Sequence, residues 1–472
     1  MRQILDISTC RRFRACSATG ATFVSLQRAF GDYRDPRPAT AGLDRPGETA
    51  IKPRRENRIR QYVRTRRRGN SSFRPASCAH CPEPGRRTDL PGSDAGLMWL
   101  PTAGGVMDQR VHEHAETLVD WSARIEPGDD VVVHVGEGAH DLAVAVAAAL
   151  GERGANLLAR YSSSEMSRAY LRAHEDDFAE NPEFEQALYE RADSVLSLRG
   201  TRNTRATADV ADDRQQAYAG ARRGIREARL DTDWVSTVHP TRALAQQAGM
   251  SYEAYREFVY DAVLRDWALL AEEMDRLKTL LDDGSEVRLR KEGGTDLTLD
   301  IEDRTAVNSA ATVAYDSHNL PSGEVFTAPA DAAGTVAFDV PMTIRGRRVR
   351  DVQLTLKDGV VVDIEAGAGE DVLASVVETD GGSRRFGELG VGMNRGIDRV
   401  TDQILFDEKM AGTVHLALGR AYDATLPEGE SGVESAVHVD LITDMETDSS
   451  LEIDGEVIQR NGRFRWEDGF DA

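Results

Sequence analysis

The hydrophobic pattern of this chain changes near Gly284, and this change restricts the fold more than any other feature of the sequence. Between residues 107 and 284, apolar residues recur at spacings of three and four or form short runs, which is typical of helices alternating with buried strands. After Gly284, apolar and polar residues alternate, which is the period of a strand. We therefore predict an α/β (α+β) fold. A strand–helix domain with a parallel sheet spans 107–284, and a strand-rich domain spans 285–472.

Individual elements follow from the local spacing. In the first half, "DDVVVHVG" predicts a short buried strand, "DLAVAVAAALGERGA" a helix and "NLLARYS" a second strand. Residues 251–282 predict one long helix, because apolar residues recur there at threes and fours. In the second half, turns at Gly293-Gly294 and Asp358-Gly359 separate alternating segments, and each predicts a hairpin.

Two histidines lie in the first predicted helix, in the segment "HEHAE" at 112–116. The spacing differs from the HExxH pattern of zinc proteases, because Glu116 stands where that pattern has its second histidine. We expect His112 and His114 to be exposed residues of a helix.

Charge divides the chain unevenly. Residues 1–106 contain 20 basic and 9 acidic residues; subtraction from the totals of 58 and 80 leaves 38 basic and 71 acidic residues over 107–472, a net charge of −33. Such a surface repels itself at low ionic strength, whereas molar salt shortens the Debye length to about 3 Å. It also disfavours nucleic acid, which is bound through Lys and Arg. We expect a cytoplasmic protein of a salt-loving microbe, with neither nucleic acid nor membrane as partner.

Arginine, proline, glycine and serine are abundant in residues 1–106, where no helical or strand period is sustained. Three interpretations are open: a basic arm for nucleic acid, a zinc knuckle around Cys78 and Cys81, or a segment that is not native protein. One Cys-x-x-Cys pair supplies only half of the four ligands that a structural zinc site needs. Because acidic, periodic sequence begins at Met107, we expect residues 1–106 to be a non-native or disordered extension and Met107 to be the true start.

Isolated carboxylates and histidines mark the candidate site. About a fifth of residues 107–472 are acidic, so the useful signal is such a residue in a segment otherwise poor in charge. Four segments meet this criterion: "HNLPSGEVFTAP", "FGELGVGMN", "MAGTVHLALG" and "SAVHVDLI". The glycines of the second segment would let the backbone approach a ligand closely. The candidate residues are Glu324, Glu388, His415, His438 and Asp440.

These five residues are either satisfied polar groups of the core or a metal site. A buried carboxylate costs several kcal/mol unless it is paired or bound to a metal, and the basic residue near them in sequence is Lys409. Three carboxylates and two imidazoles suit a pair of divalent ions such as zinc, cobalt or manganese. We therefore predict a dinuclear metal site.

The same segments resemble a known family. "NLPSGEVFTAP", "GELGVGMN", "DEKMAGTVHLALG" and "HVD" resemble, in order and spacing, the thermophilic-type metalloaminopeptidases, which include aminopeptidases T and S. The resemblance covers essentially all of residues 107–472. It implies that Glu324, Glu388, His415, His438 and Asp440 bind the two metals and that Tyr422 takes part in catalysis. One departure is Val433, where many relatives carry an asparagine.

The resemblance also implies a reaction. A two-metal-activated water would remove the N-terminal residue of a peptide, with Tyr422 donating a hydrogen bond to the oxyanion and Glu324 or Glu388 moving a proton to the leaving amine. It further implies a homodimer. Two alternatives remain open from the residues alone: another two-metal amide hydrolase, and a non-enzymatic protein that binds a nucleotide and calcium.

Overall fold

Residues 107–470, with the exception of residue 176, are described in the computed structural model. The predictions for residues 1–106, namely a non-native or disordered extension, a basic arm or a zinc knuckle, lie outside the described residues. No helix within the described part of the chain is both long and apolar enough to cross a membrane.

A five-stranded parallel sheet occupies the N-terminal half, with the strand order β2-β1-β3-β4-β8. Its strands are β1 Asp130–Gly136, β2 Asn156–Ser162, β3 Ser194–Arg199, β4 Asp233–Val238 and β8 Asn319–Leu320. The strands predicted from "DDVVVHVG" and "NLLARYS" are confirmed as β1 and β2. The fifth strand comes from residues after Gly284, and the domain boundary near that residue stays a prediction.

Helices connect these strands. They are α1 Gln109–Glu116, α2 His140–Arg153, α3 Ser164–Ala173, α4 Glu183–Arg191, α5 Asp212–Gly220, α6 Arg223–Leu230, α7 Arg242–Gln247, α8 Tyr252–Val263 and α9 Trp267–Asp283, with a π-helix at Thr117–Ser122. The prediction of one helix over 251–282 is wrong. The chain leaves helical geometry at Leu264 (φ −89°, ψ 61°), and the side chain of Asp266 accepts a hydrogen bond from the backbone of Leu269 to begin α9.

His114 is buried, so the prediction that it is an exposed helix residue is wrong. Its Nε2 lies 2.7 Å from Oγ1 of Thr237, a buried residue of β4. Helix α1 therefore turns this polar residue toward the sheet, where a hydrogen bond compensates for its removal from water.

A nine-stranded antiparallel sheet follows, with the order β11-β12-β10-β6-β5-β17-β18-β19 and β13 paired with β12. Its strands are β5 Glu286–Lys291, β6 Thr295–Asp300, β10 Asp331–Phe338, β11 Met342–Ile344, β12 Arg347–Lys357, β13 Val360–Ala368, β17 Ser449–Ile453, β18 Glu456–Arg460 and β19 Arg463–Phe464. Both predicted hairpins are confirmed, β5–β6 and β12–β13. Positive φ at Gly293, Gly294, Asp358 and Gly359 allows their turns.

A third sheet, of five strands in the order β16-β15-β14-β9-β7, carries the candidate residues. Its strands are β7 Val307–Ser309, β9 Glu324–Thr327, β14 Phe386–Gly392, β15 Thr413–Gly419 and β16 His438–Asp444, and the helices α10 Glu370–Val377 and α11 Ile404–Asp407 also lie in this half. Every residue of β14 and β15 is buried. The mixed α/β fold with a parallel and an antiparallel part is thus as predicted.

Candidate metal centre

The register of the third sheet brings the five candidate residues together. Ala417 of β15 pairs with Glu388 on one side and with Asp440 on the other. Directly paired residues of antiparallel strands share a face, so the two carboxylates lie on the same face across a small side chain. His415 lies two residues before Ala417 and therefore also shares this face.

A glycine lies opposite three of the candidates, and Gly390 makes room for the ring of His415. His415 pairs with Gly390, and a Cβ at Gly390 would lie 2.1 Å from Cε1 and Nε2 of the imidazole. Glu324 likewise pairs with Gly392, and His438 with Gly419. That the glycines of "FGELGVGMN" let the backbone approach a ligand closely stays a prediction.

Glu388 lies between the two histidines. Its Oε1 is 3.1 Å from Nε2 of His415, and its Oε2 is 3.5 Å from Nε2 of His438. Nε2 of His438 also lies 3.5 Å from Oδ1 of Asp440, and Nε2 of His415 lies 3.7 Å from Oε2 of Glu324. The candidates therefore form two groups that share Glu388. The first group is Glu324, His415 and Glu388, and the second group is Glu388, His438 and Asp440.

Burial differs between the two groups. Glu324, Glu388 and His415 are 6%, 5% and 0% exposed, whereas His438 and Asp440 are half-buried on the edge strand β16. The second group is thus the one that solvent or a substrate can reach. Within that group, ligand atoms of Glu388, His438 and Asp440 all lie within 4.8 Å of one another, close enough to hold one metal ion.

The unpaired atoms of the centre fit divalent cations. Oε2 of Glu324, Oε2 of Glu388 and Oδ1 of Asp440 are buried and have no hydrogen-bond partner among residues 107–470 described in the structure. Nδ1 of His438 lies 2.9 Å from the backbone carbonyl oxygen of Arg420, so the ring is held with Nε2 toward the carboxylates. Oxygen and imidazole nitrogen together are ligands that zinc, cobalt and manganese accept.

The pKa values of the candidate residues also favour the binding of cations at this centre. Although burial opposes it, the hydrogen bond with Glu388 and the charge of Glu324 raise the pKa of His415 to about 9. Burial likewise opposes a rise at His438, but Asp440 and Glu388 raise its pKa to about 10. Burial acts to raise the pKa of Asp440, but the charge of His438 lowers it to about 2. The carboxylates therefore attract positive charge to this centre.

A buried lysine and its partner were missed as site residues, although Lys409 was noted as the nearby basic residue. Lys409 is 0% exposed; its Nζ lies 3.2 Å from Oε1 of Glu324 and also contacts Oε1 of Glu408. In the sequence, Glu408 and Lys409 belong to the charge run "DEK", which resembles an ordinary solvated turn. Only the absence of charge in the following ten residues, "MAGTVHLALG", could have indicated burial.

Tyr422 lies beside the second group. Its ring centroid is 5.0 Å from that of His438 and 5.7 Å from that of Phe326. Burial and then the charges of Glu388 and Asp440 raise the pKa of the Tyr422 phenol well above its usual value, so its hydroxyl keeps its proton. Next to it, the backbone N–H of Ala421 donates to the carbonyl oxygen of Val433, a contact that does not need the asparagine of many relatives.

Known proteins resemble this chain over the part just described. A family model described as thermophilic metalloprotease (M29) matches residues 107–464. The chain belongs to this family. A solved structure, wild-type AmpT from Thermus thermophilus, matches with a TM-score of 0.66 and 25% identity over 76% of this chain and 99% of that chain.

Other relatives match this chain over nearly their whole length. Aminopeptidase PepS of Streptococcus thermophilus is 27% identical over 385 residues, which cover 71% of this chain and 92% of that protein. Aminopeptidase 2 of Geobacillus stearothermophilus is 27% identical over 416 residues, which cover 76% and 98%. These matches confirm the predicted family and support the predicted class of enzyme, a metalloaminopeptidase hydrolase.

Proposed function

We propose that this chain is an aminopeptidase that removes the N-terminal residue of peptides by means of water activated by two divalent metal ions. The observation that carries the proposal is the position of Glu388, whose two carboxylate oxygens face His415 and His438 on opposite sides. A carboxylate in that position suits a bridge between two cations. The membership of a metalloprotease family supports the same conclusion.

The proposed ligands fall into two sets. Glu324, His415 and Glu388 form the buried set, and Glu388, His438 and Asp440 form the accessible set. Bound zinc, cobalt or manganese ions would polarise the scissile carbonyl and lower the pKa of water toward neutrality. The unpaired oxygens of Glu324, Glu388 and Asp440 support this assignment.

The other steps belong to side chains of the protein. Tyr422 donates a hydrogen bond to the oxygen of the scissile carbonyl as negative charge develops there. A carboxylate oxygen of Glu324 or Glu388 accepts a proton from the attacking water and delivers it to the leaving amine. The free α-amine of the substrate binds to a metal ion or to a carboxylate of the centre, which favours peptides with a free N-terminus over blocked ones.

The setting of the enzyme is proposed from composition and family resemblance. The net charge of −33 over residues 107–472 supports a protein of a salt-loving microbe that acts in the cytoplasm. The family resemblance supports a homodimer, whose state gel filtration in molar potassium chloride would test.

Substrate preference tests the proposal directly. Purified protein in molar salt is assayed with an aminoacyl-anilide, its N-acetylated counterpart and a simple aminoacid amide, before and after metal removal. We expect cleavage of the free aminoacyl-anilide, no cleavage of the acetylated one, and recovery of activity when zinc, cobalt or manganese is added back. Preferential cleavage of the acetylated substrate, or full activity without metal, would reject the proposal.

A further inference from the structure

A polar cavity lies on the parallel sheet of the N-terminal half. None of the residues that line it belongs to the third sheet. It has a volume of about 300 Å³ and is bounded by β1, β2, α4 and α6. Four arginines are among the residues that line it: Arg160, Arg222, Arg226 and Arg229. Such a concentration is unexpected in residues 107–472, where acidic residues outnumber basic ones by 71 to 38.

Helix α6 presents three of these arginines along one face. Arg222 precedes the helix, and Arg226 and Arg229 follow at spacings of four and three, which places them on one side. All three are half-buried, whereas Arg223 and Glu227 between them are exposed. The face of a helix that covers a sheet is normally apolar, so these arginines are not a solvated surface stripe.

Arginines outnumber carboxylates among the residues that line the cavity. Glu185 is the acidic residue in the lining; its Oε1 accepts a hydrogen bond from Arg160 at 2.7 Å, and its Oε2 lies 3.4 Å from Nε of Arg222. Arg160 also donates to the hydroxyl of Tyr189 at 2.9 Å, and that hydroxyl lies 2.8 Å from Nε2 of His134. The residues that line the cavity thus include four guanidinium groups and one carboxylate, a formal charge of +3.

Burial and the charges of the arginines together shift the pKa values of two lining groups. Burial, and then the charges of Arg160 and Arg229, lower the pKa of His134 to about 4, so that its imidazole is neutral at neutral pH. Burial and the charge of Arg226 lower the pKa of the Arg229 guanidinium. Nε of Arg222 is buried and makes no hydrogen bond to the described residues. Like charges that line one cleft raise the local concentration of anions there.

We propose that this cavity binds a small molecule that carries a phosphate group. A phosphate dianion matches a lining charge of +3 better than a monocarboxylate does, and several guanidinium groups can bind its oxygens through paired N–H donors. A volume of about 300 Å³ lies at the lower end of the range of small-molecule sites. It therefore admits inorganic phosphate or the phosphate ester of a small alcohol, with Tyr189 and Ile225 beside the organic part.

Calorimetric titration of the full chain tests the site without use of peptidase activity. Inorganic phosphate, phenyl phosphate and benzoate are each titrated at one fixed concentration of potassium chloride. The variants are Arg229→Gln and Arg226→Gln, and the matched control is Arg347→Gln, an exposed arginine on β12 that pairs with Asp371. Thermal unfolding of each variant shows that it is folded.

We expect saturable binding of one phosphate compound per chain, at least tenfold weaker in Arg229→Gln and Arg226→Gln and unchanged in Arg347→Gln. Benzoate should bind at least tenfold more weakly than phenyl phosphate. Equal affinity for the two phosphate compounds would support recognition of the phosphate group alone, and tighter binding of phenyl phosphate would support an ester.

The proposal is overturned if neither phosphate compound binds saturably, or if benzoate binds as tightly as phenyl phosphate. It is also overturned if both cavity variants bind phosphate as the unmodified chain does, because binding would then be at another place, such as the metal centre. If one variant fails to fold, the other gives the same decision.

Discussion

Nζ of Lys409, in the turn before β15, lies 3.2 Å from Oε1 of Glu324 on β9, and both side chains are buried. Although burial opposes it, the carboxylates of Glu324 and Glu408 raise the pKa of the Lys409 ammonium, so the lysine is charged. The ion pair holds one oxygen of Glu324 and leaves Oε2 unpaired. Lys409 is therefore expected to orient a metal ligand.

Replacement of this lysine tests whether its charge stabilises the buried carboxylates. In Lys409→Met the buried carboxylates lose their counter-charge, and removal of one partner of a buried pair typically costs about 3–5 kcal/mol. We expect a loss of stability on that scale in urea unfolding of the metal-depleted protein. The double variant Lys409→Met/Glu408→Gln should recover part of it, since one fewer carboxylate is left unpaired. An unchanged free energy of unfolding in the single variant would show that the lysine does not stabilise the buried carboxylates.

Gly390 should tolerate no side chain. A Cβ there would lie 2.1 Å from the ring of His415, so Gly390→Ala must displace the imidazole. We expect a loss of bound metal and at least a tenfold loss of activity in a protein that still folds. The matched control is Gly381→Ala, where no atom lies within 4 Å of an added Cβ. Equal metal content in the two variants would refute the proposed position of His415.

Tyr422 should act on turnover rather than on metal binding. Its ring lies beside His438, but the phenol keeps its proton because burial and nearby carboxylates raise its pKa. Removal of one oxyanion donor typically lowers kcat by about 10²–10³, so Tyr422→Phe should lower kcat by about that factor with KM and metal content near those of the unmodified protein. A kcat within twofold of the unmodified enzyme would exclude Tyr422 as the donor.

His114 should make stability depend on pH. Burial, with a smaller effect of His239, lowers its pKa from 6.5 to about 3, so the unfolded chain takes up a proton first as the pH falls. Stability due to this group is complete above pH 6.5 and declines by up to about 1.4 kcal/mol per pH unit down to about pH 3.

The matched variant is His114→Gln, whose amide can reach Thr237 but does not titrate. Urea unfolding at pH 6.5 and 4.5 should give a smaller decline for His114→Gln than for the unmodified protein. The metal ligands titrate in both proteins, so their effect cancels in the comparison. Equal declines would mean that the pKa of His114 is the same in the folded and unfolded protein.

The candidate residues could be predicted because each lies in a segment that is otherwise poor in charge. Strand alternation placed His415 and His438 on definite faces, and the register of β14, β15 and β16 confirms that these faces coincide. The charge run before His415 carried no such signal, since exposed and buried runs look alike in sequence. The pairing of Lys409 with Glu324 depends on β9, which is distant along the chain.

Other features depend on packing that a local pattern does not record. The spacing of apolar residues continues through residues 264–266, so the break between α8 and α9 was not visible. The arginines of α6 have the spacing of a solvated helix face, and only their contacts with β1, β2 and α4 show that they line a cavity. His114 was assigned to the surface because a single histidine does not reveal which face of its helix meets the sheet.

Metal content is the most direct test of the central claim, that Glu324, Glu388, His415, His438 and Asp440 hold two divalent ions. Ions per chain are measured by mass spectrometry after equilibration with zinc, cobalt or manganese, for the unmodified protein, His438→Ala and the control His112→Ala. Two ions per chain in the unmodified protein and the control, with loss of at least one ion and of peptidase activity in folded His438→Ala, is the predicted result. Full metal content in folded His438→Ala would contradict the account.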